Sequence, residues 1–180
     1  MIQIMCPCGK HISQNLYNRI LSSISLNQLP CSTCKHKACL IWYGTYTRSV
    51  KEGDTETVLV VNRVLCKECS ANGHLHTHAI LLVSMVPYCQ TPLHVQVDII
   101  NAFELCNGSL SEILEDNPLI DMNYVYRLCA VYRSFWMERL RSEGITLHPI
   151  DDLPSGCFRC YRRQFMQIKS MPNILFQPPT

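Results

Sequence analysis

Twelve cysteines in 180 residues are far more than an ordinary core uses, and six of them stand as three pairs of identical spacing, the last being Cys157 and Cys160. Cys31-Ser32-Thr33-Cys34 and Cys66-Lys67-Glu68-Cys69 are both Cys-x-x-Cys turns. Zinc takes four soft donors at the corners of a tetrahedron, and thiolates supply both softness and charge. A two-residue gap lets one tight turn aim two sulfurs at a single point, so two such turns close a site. Four thiolates leave no vertex for water, so the expected ion, Zn2+, is structural and not catalytic. The competing reading of a cysteine-rich chain is a disulfide framework. The pair spacing and the lack of a basic segment followed by a long apolar core at Met1–Met5 favour a reducing compartment, with a cytoplasmic location expected.

Other groups are weaker. Cys6 and Cys8 with Cys157 and Cys160 are candidates for a second metal site joining the chain ends, although Cys6-x-Cys8 is tighter than the usual knuckle. Cys39, Cys89, Cys106 and Cys129 sit among apolar neighbours and read as small core residues. His74, His76 and His78 alternate, which suits one face of a strand, and His78 inside an apolar run reads as a hydrogen-bonded core histidine. No cysteine stands in a recognisable Cys/His/Asn arrangement and no Gly-rich phosphate loop is present, so no enzymatic activity is expected.

The elements that must position the knuckles follow from periodicity. Ile12, Leu16, Ile20 and Ile24 recur every four residues, which with Ser13 as the cap reads as a short amphipathic helix, and Pro30 stops it. Leu40–Arg48 and Thr55–Cys66 are rich in aromatic and β-branched residues and read as strands, joined by a connection at Val50–Asp54. The second strand runs straight into Cys66. Thr77–Tyr88 is a further apolar stretch. From Thr91-Pro92 onward the pattern turns helical, first to about Cys106. Ser109 and Glu112 then form a capping box on a short helix that Asn117-Pro118 ends, and Asp121 caps a long helix through Leu140, ending at Gly144. The expected fold is α+β: an N-terminal zinc ribbon, a β-hairpin carrying the two knuckles, followed by a helix-turn-helix. The expected domains are 1–90, 91–145 and a tail, 146–180. The longest apolar run, Ala79–Val86, is too short to span a bilayer, so no membrane association is expected.

A short capped helix, a turn and a longer helix resemble the DNA-reading unit in which the start of the second helix meets base edges. Here that start offers Asn123, Tyr124, Tyr126 and Arg127. Asn and Arg pair with adenine and guanine, and Tyr contacts phosphate. A plain helical bundle coated with Tyr and Arg has the same pattern. Charge is uneven along the chain: residues 1–91 hold eight Lys/Arg against four acids, 92–155 four against ten, and 156–180 four against none. The basic ends, with Arg48 in front and Arg159, Arg162 and Arg163 behind, are the phosphate contacts expected. The acids Glu112, Glu115, Asp116 and Asp121 oppose DNA and favour a basic protein partner.

The order CSTC, YGTYTR (43–48), VLVVNRVLCKEC (58–69) and THAILLVSMVPY (77–88) resembles an uncharacterised bacterial zinc-binding family linked to mobile elements. More distantly it resembles the zinc-ribbon front ends of insertion-sequence transposases, where paired knuckles precede a helix-turn-helix. The likeness covers about residues 31–142. Its sharpest parts are the knuckles, Gly44-Thr45-Tyr46-x-Arg48, Arg63, Thr77-His78-Ala79 and Pro87-Tyr88; the end cysteines lie outside it. The resemblance implies zinc binding and a grip on double-stranded DNA. A transposase needs three separated catalytic carboxylates, and only about forty residues follow the helical part, so the chain is not expected to be the whole enzyme. The expected function is thus a transcriptional regulator or transposon-associated accessory factor. The alternative is an adaptor docking a transposase or another protein of a mobile element, and either role is compatible with a homo-oligomer.

Overall fold

The computed structural model describes residues 1–4, 11–70, 73–106, 108–138 and 175–177. It is a mixed α+β fold. In chain order the elements are β1 (Ile2–Ile4), α1 (Gln14–Ser22), β2 (Leu40–Glu52), β3 (Thr55–Cys66), β4 (Thr77–Leu82), α2 (Leu93–Glu104), α3 (Leu110–Asp116), α4 (Met122–Val131) and β5 (Leu175–Gln177). A five-stranded sheet runs β2-β3-β4-β1-β5. The described residues form two compact units that interleave along the sequence, the first within 1–48, 58–83 and 171–180 and the second within 49–57 and 84–170.

The first unit holds most of the sheet. β3 and β4 pair antiparallel with Val64 opposite His78, whereas β1 runs parallel to β4, with Ile2 opposite Ile80, and parallel to β5. Ile2, Gln3 and Ile4 are all buried, as expected of a parallel strand covered on both faces. Helix α1 begins where Ser13 Oγ accepts the Leu16 amide at 3.2 Å. It serves the sheet through two side chains. Gln14 accepts the Val60 amide at 2.7 Å and donates to the Val60 carbonyl at 3.2 Å, taking the place of a neighbouring strand. Tyr17 stands fully buried where β4 leaves β3 for β1, accepting the Asn62 amide and donating to the Ile80 carbonyl, both at 2.9 Å. Burial pushes this phenol up to about 12. Tyr17→Phe strips both backbone groups of their partner. The expected loss is about 1–3 kcal/mol in urea unfolding with metal content unchanged, and a loss below about 0.5 kcal/mol would contradict the role given to the hydroxyl.

In the second unit α2, α3 and α4 bury one apolar cluster that includes Val95, Ile99, Val125, Leu128 and Trp136. Ser109 Oγ caps α3 through the Glu112 amide at 3.3 Å, and Asp121 caps α4 through the Tyr124 amide at 2.7 Å. The tip of the β2–β3 hairpin belongs to this unit. Gly53 turns the chain at φ +62, a conformation that suits glycine, and its amide donates to Asn117 Oδ1 at 3.0 Å in the α3–α4 turn. Glu52 pairs with His94 of α2 at 2.8 Å.

Several expectations need correction. The hairpin connection is two residues, Gly53-Asp54, not Val50–Asp54, because β2 continues to Glu52. Of the apolar stretch Thr77–Tyr88, β4 takes up Thr77–Leu82, and the boundary between the units falls between Val83 and Ser84. Pro92, not Thr91, precedes α2, in extended backbone, and the Leu93 amide is met by the Ser84 carbonyl at 2.9 Å. The last helix is not uniform, since a widened π-helical turn at Tyr132–Trp136 follows α4. Cys106 is exposed at φ +50 just beyond α2 and is no core residue, whereas Cys39 and Cys129 are buried. Gly144, Cys6, Cys8, Cys157, Cys160, Arg159, Arg162 and Arg163 lie outside the described residues. No described helix is long and apolar enough to cross a membrane.

Candidate metal centre

The two knuckles are built alike. In the first, the Thr33 amide donates to Cys31 Sγ at 3.3 Å and the Lys35 amide to the Cys31 carbonyl at 3.0 Å. In the second, the Cys69 amide donates to Cys66 Sγ at 3.4 Å and the Ser70 amide to the Cys66 carbonyl at 3.0 Å. Lys35 holds φ +66 as the chain leaves the first knuckle, a left-handed conformation that costs a side-chain-bearing residue roughly 1–2 kcal/mol. The sheet fixes the second knuckle, because Cys66 is the last residue of β3 and its amide donates to the His76 carbonyl at 3.0 Å. The knuckles are tied to each other through the Lys67 amide, which donates to the Cys39 carbonyl at 2.9 Å. At the surface His36 Nδ1 meets the Glu68 carboxylate in an exposed contact worth little by itself.

These constraints bring Cys31, Cys34, Cys66 and Cys69 together, with every sulfur within 4.8 Å of the others. Cys31 and Cys69 stand 3.8 Å apart and Cys34 and Cys66 3.7 Å. A tetrahedron with metal–sulfur bonds of about 2.3 Å has edges of roughly 3.8 Å, so the spacing fits a four-thiolate zinc site. The donor set fits as well. None of the eight described cysteines is in a disulfide. Cys31 and Cys66 are fully buried, and buried thiols without a cation would be poor thiolates. Burial pushes Cys66 up, but the Cys69 amide and the surrounding thiols outweigh it and hold the group at about 7, while Cys34 and Cys69 are pushed above the ordinary thiol range, chiefly by burial. A divalent ion would neutralise part of the charge and cross-link two loops 32 residues apart in sequence, counted from Cys34 to Cys66.

His78 backs the site. It is 3% exposed, with Nε2 3.3 Å from Cys31 Sγ and Nδ1 3.0 Å from Ser32 Oγ. The Met1 amino group also lies 3.0 Å from Nδ1. Burial first, then the Met1 amine and His76, hold the imidazole down at about 3, so it is neutral. With hydroxyl and amine donors at Nδ1, the ring proton belongs on Nε2, where it donates to the Cys31 sulfur. A hydrogen bond of this kind would orient Cys31 toward an ion held by the four sulfurs. The reading of His78 as a hydrogen-bonded core histidine holds, and its partner is the knuckle itself.

Cys39 is the residue the spacing did not single out. Its sulfur stands 3.6 Å from Cys66 Sγ and 3.9 Å from Cys34 Sγ. A left-handed turn at Lys35 and again at Ala38 (φ +57) folds the chain back and brings it there.

Among the residues expected to contact DNA, Asn123, Tyr126 and Arg127 lie exposed on one face of α4. Tyr124 is half-buried, and its hydroxyl is 3.2 Å from Cys89 Sγ, with burial pushing the phenol far up. It therefore walls the second unit, and the Arg127 guanidinium lies 5.5 Å from its ring centroid. Arg48 is half-buried in β2. No family model, curated protein or solved structure matches the chain.

Proposed function

We propose that the chain is a zinc-stabilised DNA-binding protein, a regulator or an accessory factor of a mobile element. In this reading Cys31, Cys34, Cys66 and Cys69 hold a structural Zn2+, and α3 and α4 act as a helix-turn-helix. The observation that carries it is the division of α4 into two faces behind a short capped helix. Val125, Leu128 and Cys129 are buried, while Asn123, Tyr126 and Arg127 are exposed together near the N-terminal end. Gly53 and Asn117 fix the intervening turn, which gives the exposed face a rigid mount. Arg127 has no carboxylate partner among the described residues and only a ring for company, so its donors are available to a guanine edge or a phosphate. The exposed acids Glu112, Glu115 and Asp116 on α3 and Asp121 at the start of α4 repel phosphate and suit a basic protein partner instead.

The test is selection of duplex DNA from a random pool, followed by titration at two salt concentrations. Arg127→Ala is expected to weaken the selected site about 5- to 150-fold, corresponding to about 1–3 kcal/mol, with zinc content unchanged. Normal binding by Arg127→Ala removes this helix from the interface, and absence of any duplex binding at low salt ends the reading. A protein-adaptor role has its own support in the large apolar side chains left exposed on the hairpin. Trp42 is 48% exposed, Tyr43 47% and Val58 58%. A stoichiometric complex with one purified protein, formed without DNA, would favour it.

A further inference from the structure

Five sulfurs, not four, converge between the knuckles. Cys34, Cys39 and Cys66 form a triangle with sides of 3.9, 3.6 and 3.7 Å. Each side is close to the roughly 3.8 Å edge expected when thiolates share one zinc ion at about 2.3 Å. The triangle is therefore a second tetrahedral face, hinged on the Cys34–Cys66 edge of the four-sulfur site. We propose that Cys34, Cys39 and Cys66 hold a second soft divalent ion, Zn2+ or Cd2+, so that Cys34 and Cys66 bridge two ions.

Charge favours the pair. One divalent ion among four thiolates leaves a buried formal charge of two minus. Adding a second ion together with the Cys39 thiolate reduces it to one minus, and uncompensated buried charge is costly. On binding, the Cys39 thiol gives up its proton to solvent and its sulfur turns from the His36 carbonyl, to which it now donates at 3.1 Å. That carbonyl keeps the Cys31 amide at 2.9 Å, so no buried acceptor is stranded. Cys34 is half-buried and gives the ion a route in, while Cys39 and Cys66 are closed off. Three protein sulfurs leave one vertex for water or an added thiol, so the second ion exchanges faster than the first.

The proposal does not depend on DNA binding and is tested without it. The full chain, loaded with cadmium, is weighed by native mass spectrometry and examined by 113Cd NMR, beside Cys39→Ser. The wild type is expected to carry one ion more than Cys39→Ser and to show two resonances split by coupling through shared sulfurs. In Cys39→Ser the splitting disappears and the ion of the four-sulfur site stays. Any ion held by cysteines elsewhere is common to both proteins and cancels. Equal ion counts, or wild-type resonances without splitting, overturn the proposal. Should Cys39→Ser not fold, Cys39→Ala supplies the count and the wild-type splitting still decides.

Discussion

Cys66→Ser is expected to empty the knuckles of metal and unfold the first unit, and a strong chelator is expected to do the same to the wild type. The size of the effect follows from the way metal affinity becomes folding energy, about 10–16 kcal/mol for a structural zinc ion near neutral pH. That equals or exceeds the whole stability of an ordinary domain, about 5–15 kcal/mol. Cys66 is the most consequential choice because it joins both groups of sulfurs and ends β3, with Cys34 at 3.7 Å and Cys39 at 3.6 Å. Serine is a harder, far weaker acid than cysteine and would sit fully buried in its place. Zinc per chain and the dispersion of the amide NMR spectrum are the measurements. Cys129→Ser, buried at 1% in the second unit, is the control for burying a hydroxyl, and it should leave zinc untouched. If Cys66→Ser keeps its zinc, or if the chelated wild type keeps the spectrum of the loaded protein, these sulfurs do not support the fold.

The difference between what the chain discloses and what it hides has a physical basis in these same residues. Cys-x-x-Cys turns and the Ser13, Ser109 and Asp121 caps are local devices, closed within three or four residues, and each is where its spacing puts it. The hairpin is local too, although its exact turn is settled by Asn117, more than sixty residues away in sequence. β1 is different. Three residues carry no periodicity, and Ile2-Gln3-Ile4 becomes a strand only because β4, some eighty residues on, offers an edge. Cys39 was legible as a small buried residue, and it is buried. Its approach to Cys34 and Cys66 depends on two left-handed residues, Lys35 and Ala38, that no propensity favours. Spacing rules therefore find the ligands a single turn can aim, and they miss the ligand that needs the chain to double back.

Trp136→Ala should be the most damaging single change in the second unit. The indole is 1% exposed, in the π-helical turn after α4, and belongs to the cluster formed with Leu128, Cys129 and Tyr132. Truncation of a buried Trp removes its transfer energy and leaves a void that close-packed neighbours fill only in part, typically about 3–5 kcal/mol. The widened turn matters here. An extra residue in the turn keeps Leu128, Tyr132 and Trp136 all buried at intervals of four, where an unbroken helix drifts off its stripe. Position 136 is thus where the last turn is anchored, and a smaller apolar residue cannot reach the same neighbours. Unfolding of Trp136→Ala in denaturant, followed by the amide signals of Ile99, Val125 and Leu128, is expected to shift to markedly lower concentration while the four-sulfur site keeps its ion. Loss of the metal together with those signals would show that the two units unfold as one, and an unchanged midpoint would show that the indole is not the anchor of this core.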